Sequence, residues 1–344
     1  MMNYIDFRSD SVTWPTEEMR SAMQQAIVGD HAFDEDPTTK ELENYGASLV
    51  GKEAALFVPT GTLANQIALL TYCNRGDEVI VDNNSHIAQY ESGSASILAN
   101  VHLKTIEPKN NAITSDEIAA KIRNNKFNAE TTTSLICIED TMMNGNTIPL
   151  ETIKDLRYLS TRYHIPVHLD GARLFNAAAA QNVTAAEIAQ NATSVMLCLS
   201  KGLCAPAGAL LCGNKSFIEK AKTNRNLLGA TMHQSGIIAA AGLIALKNMR
   251  QRLSQDHETA FYLANNLTQF EELEIDITKV ETNIVYCRFK DENFESEAFC
   301  DFFKSHNILL QPPLEDGTMR LMTHRWINRQ NVDTFIQTMK EFLK

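Results

Sequence analysis

Val167-His168-Leu169-Asp170-Gly171-Ala172-Arg173 and, further along, Ser194-Val195-Met196-Leu197-Cys198-Leu199-Ser200-Lys201-Gly202 are the stretches on which the fold turns. Each is an apolar run, and each ends on a charged residue beside a glycine. A strand buried on both faces of a parallel sheet reads in this way, and its carboxyl end is where open α/β sheets place ligands. Working outward, similar runs occupy residues 54–58, 78–82, 101–106, 134–139 and 209–213, which with 166–170 and 194–200 make seven candidate strands. Helix-patterned segments fill gaps at 15–27, 37–50, 62–73, 115–124 and 150–164. Thr114 and Ser115 suit the cap of the fourth, with Glu117 in its first turn. The alternation predicts an α/β domain with a mostly parallel, doubly wound seven-stranded sheet covered by helices on both faces.

From Ser235 the pattern becomes helical to about Leu267, then strand 283–289, helix 294–306, strand 319–323 and helix 331–343. That order suits a small α+β C-terminal domain. No Pro/Gly/Ser-rich linker separates it, so the two parts should sit rigidly together. The expected organisation is an N-terminal arm over 1–14, a large domain over 15–247 and the small domain over 248–344.

The chain has 344 residues, 44% hydrophobic and 21% charged, enough to bury a sizeable core. Lysine plus arginine number 31 against 42 aspartate plus glutamate, a net charge of −11 that argues against nucleic-acid or anionic-membrane partners. The longest apolar run, 237–246, is about half the ~20 residues a spanning helix needs. The opening is polar (Asn3, Asp6, Arg8, Asp10), without a signal-peptide stretch. Seven cysteines, none in a CxxC pair, read as small buried hydrophobes in a reducing compartment, so the expected location is cytoplasmic.

Several chemistries lack their motif: there is no GxGxxG, no GxxxxGK[ST] and no GxSxG. His164 and His168 have a metal-like spacing, but Pro166 between them prevents a shared helix face. Asp34-Glu35-Asp36 lacks calcium-loop spacing and reads as a loop and cap before Pro37. No metal site is expected.

Three segments carry chemistry. Pro59-Thr60-Gly61-Thr62 ends a strand and opens a helix, which serves either as a plain capped start or as a phosphate seat made of free N–H groups. Asp170 sits at a strand's carboxyl end, either as a helix cap or as a ligand group. Lys201 follows a buried strand, where it either snorkels or serves as a Schiff-base lysine. Taken together they describe a pyridoxal 5′-phosphate site. Lys201 would carry the aldehyde, Asp170 would keep the pyridine nitrogen protonated, and Gly61 and Thr62 would seat the phosphate. His86, just past strand 78–82, would cover the exposed ring face.

With these segments in place, the chain resembles the low-specificity L-threonine aldolases, in the aspartate-aminotransferase-like fold (fold type I) of pyridoxal phosphate enzymes. The resemblance rests on Asp6-Phe7-Arg8-Ser9-Asp10-Ser11-Val12-Thr13, on Gly29-Asp30 with Glu35-Asp36-Pro37-Thr38, and on Pro59-Thr60-Gly61-Thr62-Leu63-Ala64-Asn65-Gln66. It continues through His86-Ile87 with Tyr90-Glu91, Leu169 to Arg173, Cys198 to Leu203, Ala205-Pro206 and Arg320-Leu321-Met322-Thr323-His324. It implies cleavage of threonine, allo-threonine and other β-hydroxy-α-amino acids to glycine and an aldehyde. It also implies a homotetramer of tight dimers with active sites at the dimer interface. By the same carry-over, Ser9, Arg173 and Arg320 hold the substrate carboxylate, and Arg173 also borders the cofactor. The alternative on this fold is another pyridoxal phosphate reaction, β-elimination or racemisation.

The chain departs from the family pattern at three places. Glu139-Asp140-Thr141-Met142 stands where the family reads Glu-Asn-Thr-His, and methionine neither donates nor accepts usefully. The base is therefore expected to be His86, directly or through water, or an ordered water alone. His233 stands where a family arginine helps hold phosphate across the interface, with Arg225 nearby. Phe33-Asp34 replaces a Tyr-Gly pair.

Overall fold

In the computed structural model, which describes residues 4–108, 112–123, 131–291 and 294–344, the apolar runs do pair into one large sheet. In chain order the strands are β1 (Ile5–Asp6), β2 (Ala54–Val58), β3 (Glu78–Asp82), β4 (His102–Ile106), β5 (Thr133–Glu139) and β6 (Val167–Gly171), followed by β7 (Ser194–Cys198), β8 (Ala209–Gly213), β9 (Leu273–Glu274), β10 (Ile284–Phe289), β11 (Ile308–Leu309) and β12 (Thr318–Met322). The large sheet is seven-stranded in the order β2-β8-β7-β6-β5-β3-β4. Every residue of β6, β7 and β8 is buried, as the continuous apolar runs require, whereas edge strand β4 is exposed at His102 and Thr105 and buried only at Ile106.

Strand direction places the site. From β7 through β6, β5 and β3 to β4 all pairings are parallel. β8 runs antiparallel to both β7 and β2, so two reversals return β2 to the common direction. The carboxyl ends of β2, β3, β5, β6 and β7 therefore open on one edge of the sheet. The segments holding Gly61, His86, Glu139, Asp170 and Lys201 all leave from that edge.

Helix boundaries follow local capping. Asp36 accepts the Thr39 amide and starts Pro37–Leu49, so the acidic cluster is a loop and cap as expected. Ser115–Ala119 is a single capped turn rather than a helix through 123, and residue 124 lies outside the described residues. The long helical stretch after Ser235 is broken into Gly236–Lys247 and Leu253–Leu267 by a 3-10 turn at Met249–Arg252.

Among the described residues the buried apolar side chains form four clusters, and the two largest divide the chain. The larger extends to Met249 and Leu253, and the smaller begins at Ala260 and Leu263 and packs β10 and β12 against Arg329–Phe342. Phe7 is buried in the smaller core, and β1 pairs with β11, tying the start of the chain to its C-terminal part. A two-residue pairing carries no periodicity, so nothing in the local pattern announced it.

Candidate active site

Glycine at position 61 is a packing requirement. A Cβ there would lie 2.9 Å from Cys198 Sγ and 3.1 Å from Met196 Cε, side chains of β7. The helix Gly61–Tyr72 therefore starts tight against the strand that delivers Lys201. Thr60 caps it by accepting the Leu63 amide, leaving the first-turn N–H groups of Gly61 and Thr62 without intrahelical acceptors.

One turn into that helix, two amide side chains interrupt the apolar run, and both are buried. Asn65 Nδ2 donates to Asp170 Oδ2 at 2.7 Å and to Glu91 Oε1 at 2.9 Å, and Gln66 Nε2 donates to Glu91 Oε2 at 2.6 Å. With its nitrogen committed to two carboxylates, Asn65 offers its oxygen to His168 Nε2 at 3.1 Å. His168 thus carries its proton on Nε2, and Ser194 donates to Nδ1 at 2.9 Å. Burial pushes the His168 pKa down to about 4, so the ring is neutral, and both its nitrogens are already hydrogen-bonded within the fold.

Asp170 also accepts the Ala172 amide at 3.0 Å and is almost fully buried. Across the sheet it is in register with Glu139, which accepts the His86 amide at 2.6 Å. Burial, together with the neighbouring Asp170 charge, raises the Glu139 pKa to about 8. His86 Nδ1 contacts Glu91 Oε1 at 3.0 Å, and this hydrogen bond raises the histidine pKa against the opposing effect of burial.

Lys201 has left-handed backbone, φ +60°, a strained conformation for a lysine. It is held by Thr13, whose hydroxyl donates to the Lys201 carbonyl at 2.7 Å. Lys201 is half-buried, and its charge is near enough to act on Asp10, His86 and Glu139. These are the features a pyridoxal phosphate site needs: an amine at the strand end, a fixed carboxylate, open helix-start amides and a partly buried imidazole. The residues present fit the cofactor.

The residues expected to hold a substrate carboxylate present a different picture. Arg173 is buried and grips Asp10 in a fork, Nε to Oδ2 at 2.8 Å and Nη2 to Oδ1 at 2.7 Å, leaving Nη1 outside the pair. Burial alone would raise the Asp10 pKa, but Arg173 overrides it and holds the carboxyl at about 2. Asn283 adds a third donor to Asp10. Arg320 donates to Gln311 at 2.9 Å, while its Nε is buried without a partner. Tyr286, opposite Arg320 in the β10–β12 register, is influenced by the guanidiniums of both Arg320 and Arg173, so the two arginines face a common region. Ser9 caps the short turn Asp10–Val12, with its hydroxyl bonded to Ser11.

Met142 is buried in the larger core beside Asp140, whose Oδ2 is buried without a partner and whose pKa burial raises to about 8. His233 is exposed and pairs with Asp30, while Arg225 is turned inward onto His31. His86, Glu91 and Asp170 bring ligand atoms within 4.8 Å of one another, a spacing that could suit a cation. The Asn65 amide nitrogen, however, already points at both carboxylates, and a donor there opposes a metal ion.

The sequence pattern assigns no role to Asp10, Asn65, Glu91, Glu139 or Tyr286. One signal was available: Asn65-Gln66 inside an apolar helix run is an anomaly that calls for buried partners.

Residues 6–290 match the β-eliminating lyase family. The chain is 38% identical to the low specificity L-threonine aldolase of Escherichia coli (strain K12), covering 98% of this chain and 99% of that one. It belongs to the threonine aldolase branch of the β-eliminating lyases. Family members use pyridoxal 5′-phosphate, in agreement with the donor set above. The chain is also 31% identical to the alanine racemase TOXG of Cochliobolus carbonum, over 98% of this chain and 87% of that one. The threonine aldolase structure from Leishmania major superposes with a TM-score of 0.84 at 18% identity, covering 99% of this chain and all of that one, and so shares the fold.

Proposed function

We propose that the protein cleaves L-threonine, L-allo-threonine and other β-hydroxy-α-amino acids to glycine and an aldehyde. The observation that carries this reading is the convergence of Lys201, Asp170 and the Gly61–Thr62 amides at one sheet edge, beside an arginine with a free buried donor. When bound, pyridoxal phosphate supplies the electron sink that allows a Cα–Cβ bond to break.

This chain's residues do the rest. Lys201 would carry the cofactor aldehyde, and Asp170, steadied by Asn65 and Ala172, would hold the ring nitrogen's proton. The Gly61 and Thr62 amides would receive the phosphate. Arg320, through its unpartnered Nε, would take the substrate carboxylate, with Arg173 Nη1 and Ser9 as the other candidates, and so fix which Cα bond is aligned for cleavage. His86 is the proposed base for the β-hydroxyl, directly or through water. Glu91, bonded to its Nδ1, stabilises the imidazolium that results. Accepting that proton requires neutral His86, so cleavage should rise with pH through the histidine's raised pKa.

The homotetramer and the cytoplasmic setting belong to the same proposal. All seven cysteines are free, and Ile27, Phe33, Ile97 and Leu227 are large exposed apolar side chains suited to burial between copies. No helix among the described residues is long and apolar enough to cross a membrane.

The racemase relative favours a second reading, inversion at Cα on the same apparatus. Product identity separates the two. The holoenzyme given L-threonine and L-alanine in separate assays should release acetaldehyde and glycine from the first and leave the second unchanged. Faster formation of D-alanine, or of a keto acid, would replace the aldolase reading.

A further inference from the structure

Alongside the site, at the same sheet edge, lies a cavity of about 600 Å³. Its inner wall is shared with the site: Glu139 accepts the His86 amide, and Tyr286 stands opposite Arg320. Ile138 and Met142, both buried, give it an apolar floor. Its outer wall is acidic. Asp82 ends β3 in register with Ile106 at the end of β4, and Glu107 follows directly, so two carboxylates sit on neighbouring strand ends. Among the described residues, no Lys, Arg or His lines the cavity.

This arrangement has a polarity. Tyr286, the register neighbour of Arg320, is at the inner end and the acidic groups are at the outer end. A substrate with its α-carboxylate toward Arg320 would direct its β-substituent over the apolar floor toward Asp82 and Glu107. A negatively charged substituent would lose hydration there and meet two like charges.

We propose that this cavity receives the β-substituent and that Asp82 and Glu107 filter it by charge. The preferred substrates are then β-hydroxy-α-amino acids with bulky, uncharged β-substituents, and substrates with an acidic substituent are rejected. The inference rests on the retro-aldol reading above and adds a substrate class to it. Rejection operates through repulsion and desolvation rather than size, since the cavity has room for an aryl group carrying a carboxylate.

The test compares aldehyde release by the holoenzyme from threonine, phenylserine and 4-carboxyphenylserine. The carboxylated substrate should show kcat/KM at least about ten-fold below phenylserine at low ionic strength. In an Asp82→Asn/Glu107→Gln double variant the gap should shrink to about three-fold or less, and Glu107→Gln alone, at an exposed position, should close part of it. Asparagine at position 82 retains an oxygen for the Asn84 amide that Asp82 now accepts. Equal kcat/KM for the two aryl substrates in the wild type, or a gap unchanged in both variants, overturns the charge filter. Threonine cleavage with neither aryl substrate turned over overturns the cavity assignment while leaving the retro-aldol reading intact. No aldehyde from any of the three overturns both.

Discussion

The wall built by Asp170, Asn65, Glu91 and His168 and the wall built by Arg173, Arg320, Asp140 and Met142 face the same site but are finished to different degrees. On the first, Asp170 and Glu91 have partners on both oxygens and His168 on both nitrogens. On the second, Arg320 Nε and Asp140 Oδ2 are buried without partners, and Met142 offers no hydrogen bond where the family pattern has a histidine. The first wall is pre-organised, as the proposed seat of a cofactor whose shape does not vary would be. The second, proposed to meet the substrate, carries the Met142 departure from the family pattern. The contrast separates what makes the chemistry possible from what selects the molecule that undergoes it.

The largest effect should come from Lys201→Ala. It should abolish the absorbance band of the lysine-bound cofactor and lower turnover on the order of 10³-fold or more. A borohydride-reducible protein–cofactor adduct in that variant would break the assignment of the first wall.

The two arginines of the second wall should respond in opposite ways. Arg173→Met leaves Asp10, with no exposed surface, as an unpaired buried charge, and should cost about 3–5 kcal/mol in unfolding free energy. Arg320→Met removes a donor that has no carboxylate partner in the fold. It should leave Tm nearly unchanged and raise KM on the order of 10–100-fold. A drop in Tm for Arg320→Met as large as that for Arg173→Met would erase the distinction between a structural and a substrate-facing arginine.

Legibility from sequence follows the same division. Lys201, Asp170 and Gly61 stand where a strand ends, so a local pattern of apolar run, charged residue and glycine was enough to single them out as candidates and to expect the cofactor that the family uses. The seven-stranded sheet was legible for the same reason, because fully buried strands are continuous apolar runs. The Asp10–Arg173 fork spans 163 residues, and the Tyr286–Arg320 pair depends on a register between two strands of the C-terminal part. Neither leaves a local trace. Arg173 could be assigned to a substrate carboxylate by resemblance, but the sequence alone did not reveal that Asp10 already engages it.

Asp140→Asn sharpens the contrast through pH. The carboxyl's pKa is about 8 in the fold against an ordinary value of 3.8, so between these values the folded chain binds a proton that the unfolded chain releases. Its contribution to stability is therefore present below about pH 4 and falls by up to about 1.4 kcal/mol per pH unit as pH rises toward 8. Asparagine cannot ionise, so the variant's gain in Tm over wild type should be larger at pH 8 than at pH 5. A difference independent of pH would show that Asp140 is not held protonated.

The division between the walls is tested most directly by Met142→His, assayed on L-threonine and L-allo-threonine with the cofactor band recorded in parallel. A hydrogen bond to a substrate hydroxyl discriminates strongly, whereas an apolar wall rejects a misplaced hydroxyl poorly. The account predicts that the wild type cleaves both diastereomers and handles phenylserine well. It predicts that Met142→His leaves the cofactor band unchanged and sharpens the diastereomer preference several-fold, by about the 1–2 kcal/mol of one hydrogen bond. A wild type that already discriminates as sharply as the variant, or a variant whose cofactor band changes while its preference does not, would contradict it.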